Sequence, residues 1–271
     1  MAAAVATIAV WILSFLFPEN LESLSAGQRE RAMQGVIYFY VCMTTIAAAF
    51  VWFIIPHTNK NMTPTPVIQG IRQAARLPVV WLQGMVIVCA YSAYKALDNY
   101  GLYAQAITGI NELEAAQFST MNFYLRPIAA VAAGFIVDRF NASRVIGIAF
   151  FILVVSYLIL GFASVNTYGL NLLYANIIVT LVAVFGIRGV YFALVEETKI
   201  NKNITGTAVG LISVIGFTSE IFFAPISGRL LDASPGITGH QQVFIMLAII
   251  SVVGIVAALG IAHCKKIERS L

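Results

Sequence analysis

The chain has 271 residues, of which 60% are hydrophobic and only 10% charged, against about 25% charged in an ordinary soluble domain. With a mean hydropathy of +0.87, so little polar surface cannot keep a folded chain dispersed in water. This excludes a soluble one- or two-domain enzyme and makes a bilayer the natural solvent, where the formal net charge of +4 matters less than where the charges lie.

A membrane-crossing helix needs about 20 apolar residues. Apolar runs between charge clusters predict eight spans, at about 2–17, 34–56, 79–104, 118–137, 145–164, 169–194, 206–230 and 243–263. The runs are continuously apolar rather than alternating, which argues against a membrane β-barrel. The expected fold class is therefore an all-α membrane bundle of about eight helices. The first run has no basic residues ahead of its apolar stretch, so it reads as the end of a membrane helix rather than a signal peptide. Between the second and third spans, Pro56, Pro64, Pro66 and Pro78 frame the longest connection, and Arg72 and Arg76 lie four apart on one face of a short helix. That connection is either a simple basic linker or the boundary between two bundles, which would give residues 1–56, a loop at 57–78 and a six-span bundle at 79–271.

Basic residues set orientation, because cytoplasmic loops carry the excess of Lys and Arg. One set of alternating span ends holds Lys60, Arg72, Arg76, Arg139, Arg144, Lys199, Lys202, Lys265, Lys266 and Arg269, and the other only Arg29, Arg31 and Arg229. Both termini are therefore expected in the cytoplasm of a bacterial inner (plasma) membrane protein. Cys42, Cys89 and Cys264 form no C-x-x-C pair, and His57, His240 and His263 sit near the ends of apolar runs with no zinc spacing. The cysteines read as small buried hydrophobes and the histidines as interface residues. No metal site and no cofactor is expected.

The fourth span holds Arg126-Pro127 followed by Gly134-x-x-x-Asp138, and the seventh holds Pro225 followed by Gly228-x-x-x-Asp232. Three spans apart, they exit on opposite sides, as a three-plus-three inverted repeat requires. Charge placement follows the same division. Lys95, Asp98, Arg126, Arg188 and Glu220 fall in spans three, four, six and seven, while spans five and eight carry none. A lipid-exposed charge costs at least about 2.5–3.5 kcal/mol, so spans five and eight are expected on the outside and the charged spans around an interior.

The stretch Gly134-Phe-Ile-Val-Asp138-Arg139 resembles the first half of the loop motif of the major facilitator superfamily, Gly-x-x-x-Asp-Arg-x-Gly-Arg-Arg. It departs in the second half, where Asn141 and Ala142 replace Gly and Arg and Arg144 falls one position late. The resemblance covers the whole chain. It implies the last two helices of a first bundle, the central loop and a complete second bundle of a twelve-helix carrier, and hence a truncated transporter. The run Gly186-Ile-Arg188-Gly189-Val-Tyr191-Phe-Ala-Leu-Val-Glu196-Glu197 resembles uncharacterised bacterial members near the organic-anion and sugar-phosphate carriers. The implied function is secondary active transport by alternating access, with the lipid bilayer, a small anionic solute and protons as partners.

At 1.5 Å per residue, Arg126 and Glu220 fall near the bilayer centre, Lys95 and Asp98 in the outer half and Arg188 in the inner part. A guanidinium grips carboxylate or phosphate bidentately, which makes Arg126 the leading substrate residue, its proline neighbour disturbing the local helix. The alternative is that Arg126 pairs with Glu220 or Asp98. Lys95, Tyr91 and Arg188 join it as substrate candidates, and Tyr94 and Asn99 share that region. Glu220 is the proton-coupling candidate, with Asp98 beside it. Lys95 and Asp98, three apart, either serve the site or neutralise each other. Arg188 either faces the pathway or turns toward the cytoplasm to meet Glu196 or Glu197. Gly206, Gly210 and Gly216 suit close helix packing. The competing readings are a non-transporting membrane scaffold or sensor and an intramembrane transferase.

Overall fold

The computed structural model describes residues 26–54, 67–110, 120–122, 124–162 and 169–270. All regular structure among the described residues is helical, and contacts divide the chain into two units, Met1–Thr63 and Pro64–Leu271. Among the described residues, seven stretches are long and apolar enough to cross a membrane: Ile37–Ile54, Pro78–Thr108, Thr120–Arg139, Ala142–Phe162, Asn171–Val190, Thr205–Ala233 and Ile237–Lys265. They correspond to the second through eighth expected spans. The first expected span, 2–17, and most of the loop at 57–66 lie outside the described residues.

In the first unit, α1 (Ala26–Ile54) is a single 29-residue helix. It starts eight residues before the apolar run, so Arg29 and Arg31 are helical rather than in a loop. The hydroxyls of Thr44 and Thr45 donate back to the carbonyls of Tyr40 and Val41. Helix-internal bonding of this kind satisfies polar groups where no water is available.

The second unit is a helical bundle. A short amphipathic helix, α2 (Val67–Ala75), packs on the helices at Thr205–Gly216 and Pro78–Lys95. Leu77 is extended (φ −84°, ψ 115°) because Pro78 follows it, and Pro78 opens α3 (Pro78–Lys95) at a position whose N–H needs no partner. A tightened turn at Ala96–Asn99 leads into α4 (Tyr100–Thr108), which ends on Gly109 in the left-handed region at φ +69°. Then follow α5 (Leu125–Arg139), α6 (Ala142–Phe162), α7 (Leu170–Val190), α8 (Ala193–Glu197), α9 (Thr205–Gly216), α10 (Ser219–Ala233) and α11 (Ile237–Ser270).

The innermost helix is α3, which touches α7, α9, α10 and α11. Its residues Val80, Val86, Ile87, Ala90 and Ala93 are buried. The closest approach is its crossing with α9. A Cβ on Gly84 would come within 2.8 Å of Ile215, and one on Gly216 would run into Ile87, so each glycine receives the other helix's isoleucine. Of the three glycines expected to pack in span seven, only Gly216 does so, since Gly206 and Gly210 face open space. At the other end, Phe244 of α11 meets Tyr103 edge-on at 4.9 Å and Tyr157 of α6 stacked at 6.2 Å. His240 packs on Tyr103 at 5.6 Å and is buried.

The membrane-spanning parts of α6 and α11, which carry no charge between Val145 and His263, pack on each other and expose apolar side chains such as Phe151, Val155, Val252 and Val256. They are nevertheless more buried than α5 or α9–α10. Charge therefore does not mark depth in the packing: helices around a cavity stay exposed on the cavity side.

Gly216→Ala is expected to destabilise the protein by about 1–3 kcal/mol, the usual cost of overpacking, whereas Gly206→Ala stays within about 0.5 kcal/mol. Thermal unfolding in detergent measures both, and equal melting temperatures would contradict the crossing.

Candidate functional site

Every intramembrane charge singled out in the sequence lies at an interruption of its helix. Lys95 is the last residue of α3 and Asp98 sits in the tightened turn after it. Arg126 is the second residue of α5, Arg188 lies two residues before the end of α7, and Glu220 is the second residue of α10. The break between α9 and α10 is a tightened turn, with Thr218, Glu220 and Ile221 donating three residues back to Ile215, Phe217 and Thr218. Broken membrane helices are tolerated where the freed backbone faces protein or a cavity.

The interruptions bring four of these charges into one cluster. Glu220 accepts a hydrogen bond from the Tyr91 hydroxyl at 2.9 Å, and Lys95 approaches the same oxygen at 3.5 Å. The Arg188 guanidinium lies 3.7 Å from the centre of the Tyr94 ring and 4.8 Å from that of Tyr91. Arg126 reaches the Tyr94 ring from α5 at 5.9 Å. Phe217, in the α9–α10 break, closes on Tyr91 edge-on at 5.0 Å. Beside the Lys95–Glu220 pair lies a cavity of about 260 Å³ lined by Asp98, Asn99, Phe223, Ser227 and Leu231 among others. The pair is open to it, with side chains 34% and 49% exposed.

These contacts decide between the readings left open by the sequence. Lys95 pairs with Glu220 rather than with Asp98, because α10 presents its carboxylate to the end of α3. Arg126 has no carboxylate within 4 Å among the described residues and faces Tyr94 instead. Pro127 lies in the first turn of α5, so it starts a helix rather than disturbing one. Arg188 does not reach toward Glu196 or Glu197. The helical path continues through α8 to Glu197, which leaves Arg188 nine residues, or about 13 Å, deeper. Its Nη1 is buried with no hydrogen-bond partner. A buried donor left unpaired costs about 1–3 kcal/mol, only partly offset by two aromatic faces.

Gly134, Asp138, Arg139 and Arg144 lie away from this cluster, at the end of α5 and the start of α6, with Asp138, Arg139 and Arg144 exposed. The loop is held by other residues. Glu197 accepts the Ser143 backbone N–H at 2.8 Å and the Ser143 hydroxyl at 2.9 Å, so its carboxylate caps the positive end of α6. Lys265 of α11 donates to Glu197 at 2.9 Å and to Asn141 at 3.1 Å. Burial alone would raise the Glu197 carboxyl, but the Lys265 and Ser143 hydrogen bonds together hold it below the usual carboxylate range. This network, and Phe223 and Ser227 in the cavity wall, went unnoticed in the sequence. For Phe223 and Ser227 a signal existed: they lie three and seven residues after Glu220, on its helix face.

No family model matches the chain. It is 22% identical over 253 residues to the inner membrane protein YqcE of Escherichia coli (strain K12), covering 90% of this chain and 57% of that protein. It is 23% identical over 245 residues to the inner membrane protein YihN of the same strain, covering 86% and 57%. Over 166 residues it is 30% identical to the probable nitrate transporter NarT of Staphylococcus haemolyticus, covering 59% and 38%. The chain thus spans about half the length of the two inner membrane proteins. Seven apolar helices and these relatives make it an integral membrane protein, all-helical and similar in part to a transporter.

Glu197→Gln is expected to lower stability by about 2 kcal/mol at pH 7. The folded carboxyl holds its proton more weakly than the unfolded one, so its contribution is complete above the ordinary value of 4.5 and is lost as acid protonates the folded form. The gap between wild type and variant should therefore narrow as the pH falls below 4.5, as read by unfolding at a series of pH values.

Proposed function

We propose that the protein is a secondary active transporter of the major facilitator type, a carrier and not an enzyme, moving a small anion together with a proton by alternating access. The observation that carries this reading is the cluster of Arg188, Arg126, Lys95 and Glu220 at helix interruptions on four different helices, whose Lys95–Glu220 pair is open to a cavity. A bilayer penalises each of these charges, so an open face bearing them must meet water or another protein surface. In this reading that surface belongs to a second helical bundle, as in the carriers whose loop motif Gly134–Arg139 resembles. Both termini are cytoplasmic, as the distribution of Lys and Arg supports.

Arg188, sequestered on two rings with a free donor, and Arg126 beside the same Tyr94 form the anion-binding pair. Lys95 is a third cation whose counter-charge, Glu220, is mobile in protonation state. With Glu220 and Asp98 as the acids, the cluster carries three positive and two negative charges, one short of balance, which suits a monoanion. NarT's description as a probable nitrate transporter and the sequence resemblance to organic-anion carriers both support an anion. Protonation of Glu220 raises the positive surplus, so proton and anion favour each other and move together.

Uptake into proteoliposomes of nitrate, lactate and gluconate, driven by an inward proton gradient, tests this reading. Arg188→Ala and Arg126→Ala should each reduce uptake at least tenfold while insertion is retained. Glu220→Gln should abolish the response to the gradient yet preserve exchange of internal for external anion. Unchanged uptake in both arginine variants would exclude them as anion ligands, and gradient-driven uptake in Glu220→Gln would exclude its coupling role.

A further inference from the structure

One side chain joins the acid and the guanidinium of this site. Tyr91 donates its hydroxyl to Glu220 at 2.9 Å while its ring lies 4.8 Å from the Arg188 guanidinium. We propose that Tyr91 is the positioning residue that links proton to solute: while Glu220 is ionised it pins Tyr91 over Arg188, and a proton on Glu220 releases Tyr91 and uncovers the guanidinium for the anion. The inference rests on the anion–proton reading above and names the part that carries its coupling.

The chemistry follows from hydrogen-bond strengths. A bond donated to a carboxylate is roughly twice as strong as one between neutral partners. Once Glu220 takes a proton from water, the Tyr91 hydroxyl loses its charged acceptor and Lys95 loses its counter-charge on the same oxygen. The two rings on Arg188 are not held alike. Tyr94 rests on Phe185, a buried core residue, at 6.5 Å. Apart from Tyr94 itself, at 5.6 Å, Tyr91 rests on Phe217, which is exposed in the α9–α10 break. Tyr91 is thus the ring free to leave, and Tyr94 the platform that keeps the guanidinium plane in place. The uncovered Arg188 still has its unpaired Nη1, which an anionic oxygen satisfies in both charge and hydrogen bonding. Facing Glu220 are Tyr91 and Lys95 from α3 and Arg188 from α7, with Asp98 across the cavity. No titratable group of α11, the other helix packed on α10, faces it among the described residues.

The experiment uses the purified chain in lipid nanodiscs and has two arms. The first needs no solute: infrared difference spectra on titration with acid, with ring-deuterated tyrosine. The expected result is a tyrosine ring signal that appears together with the Glu220 carboxyl band, absent in Tyr91→Phe and in Glu220→Gln. A tyrosine signal that is missing, or that survives in Glu220→Gln, overturns the link. The second arm measures nitrate and lactate binding by calorimetry between pH 4.5 and 7. Wild type should bind more tightly as the pH falls, by up to tenfold per unit, the limit for one linked proton, and Tyr91→Phe should show a flat profile. A wild-type slope in Tyr91→Phe overturns the proposal. So does loss of binding at every pH, which would make Tyr91 a ligand residue. If the tyrosine signal co-titrates as expected but neither nitrate nor lactate binds wild type at any pH, the link stands and the anion reading falls.

Discussion

The site depends on how closely α3 and α9 can approach. Gly84 and Gly216 each accept an isoleucine from the facing helix, Ile215 and Ile87 respectively. In a bilayer the tails are as apolar as the side chains, so helix association relies on fit rather than on exclusion of water, and small residues at the contact supply it. Glu220 follows Gly216 by one turn, and Tyr91 and Lys95 follow Gly84 along α3. A crossing this tight delivers the carboxylate to the tyrosine and the lysine. Any side chain at position 216 would push the two helices apart and with them the cluster.

The second constraint is the cost of charge in an apolar medium. Five ionisable side chains in the spans would be untenable against lipid, and the chain meets the cost in two ways. Lys95 and Glu220 neutralise each other beside an open cavity, and Arg188 spreads its charge over two tyrosine faces. Each charge also lies where its helix is interrupted. At such a break backbone groups and side chains share the same polar surroundings, so one cavity serves both. Away from the cluster, Glu197, Ser143 and Lys265 tie together α6, the end of α8 and α11. Asn141, a departure from the loop motif the sequence resembles, is one of the residues that hold this corner.

Much of this was legible in the residues alone. Seven of the eight expected spans correspond to helices, because continuous apolar runs have only one way to satisfy their backbone in a membrane. The intramembrane charges were also legible, since charge in such a run demands a reason. Their partners were not. Lys95 has Asp98 three residues away, and local spacing points to that pair, yet it meets Glu220 from 125 positions further along. Arg188 has acids eight and nine residues ahead, yet it lies on Tyr94 and Tyr91 because α8 extends its span and lifts it away from Glu197. Helix ends were misplaced for a related reason: α1 and α11 run past their apolar cores into polar sequence, where hydropathy gives no signal.

Composition and the period of the apolar runs determined by themselves that the protein is an all-helical membrane protein, how many described spans it has and which side chains are too costly to be idle. Those properties depend on each segment's own transfer from water, which needs no knowledge of its neighbours. Tertiary structure alone decided which charges meet, which glycines are crossing points and that one tyrosine touches both the acid and the guanidinium. Those outcomes depend on where helices cross and break. The crossings are set by pairs of side chains far apart in sequence, and the α9–α10 interruption that carries Glu220 is one no proline announces.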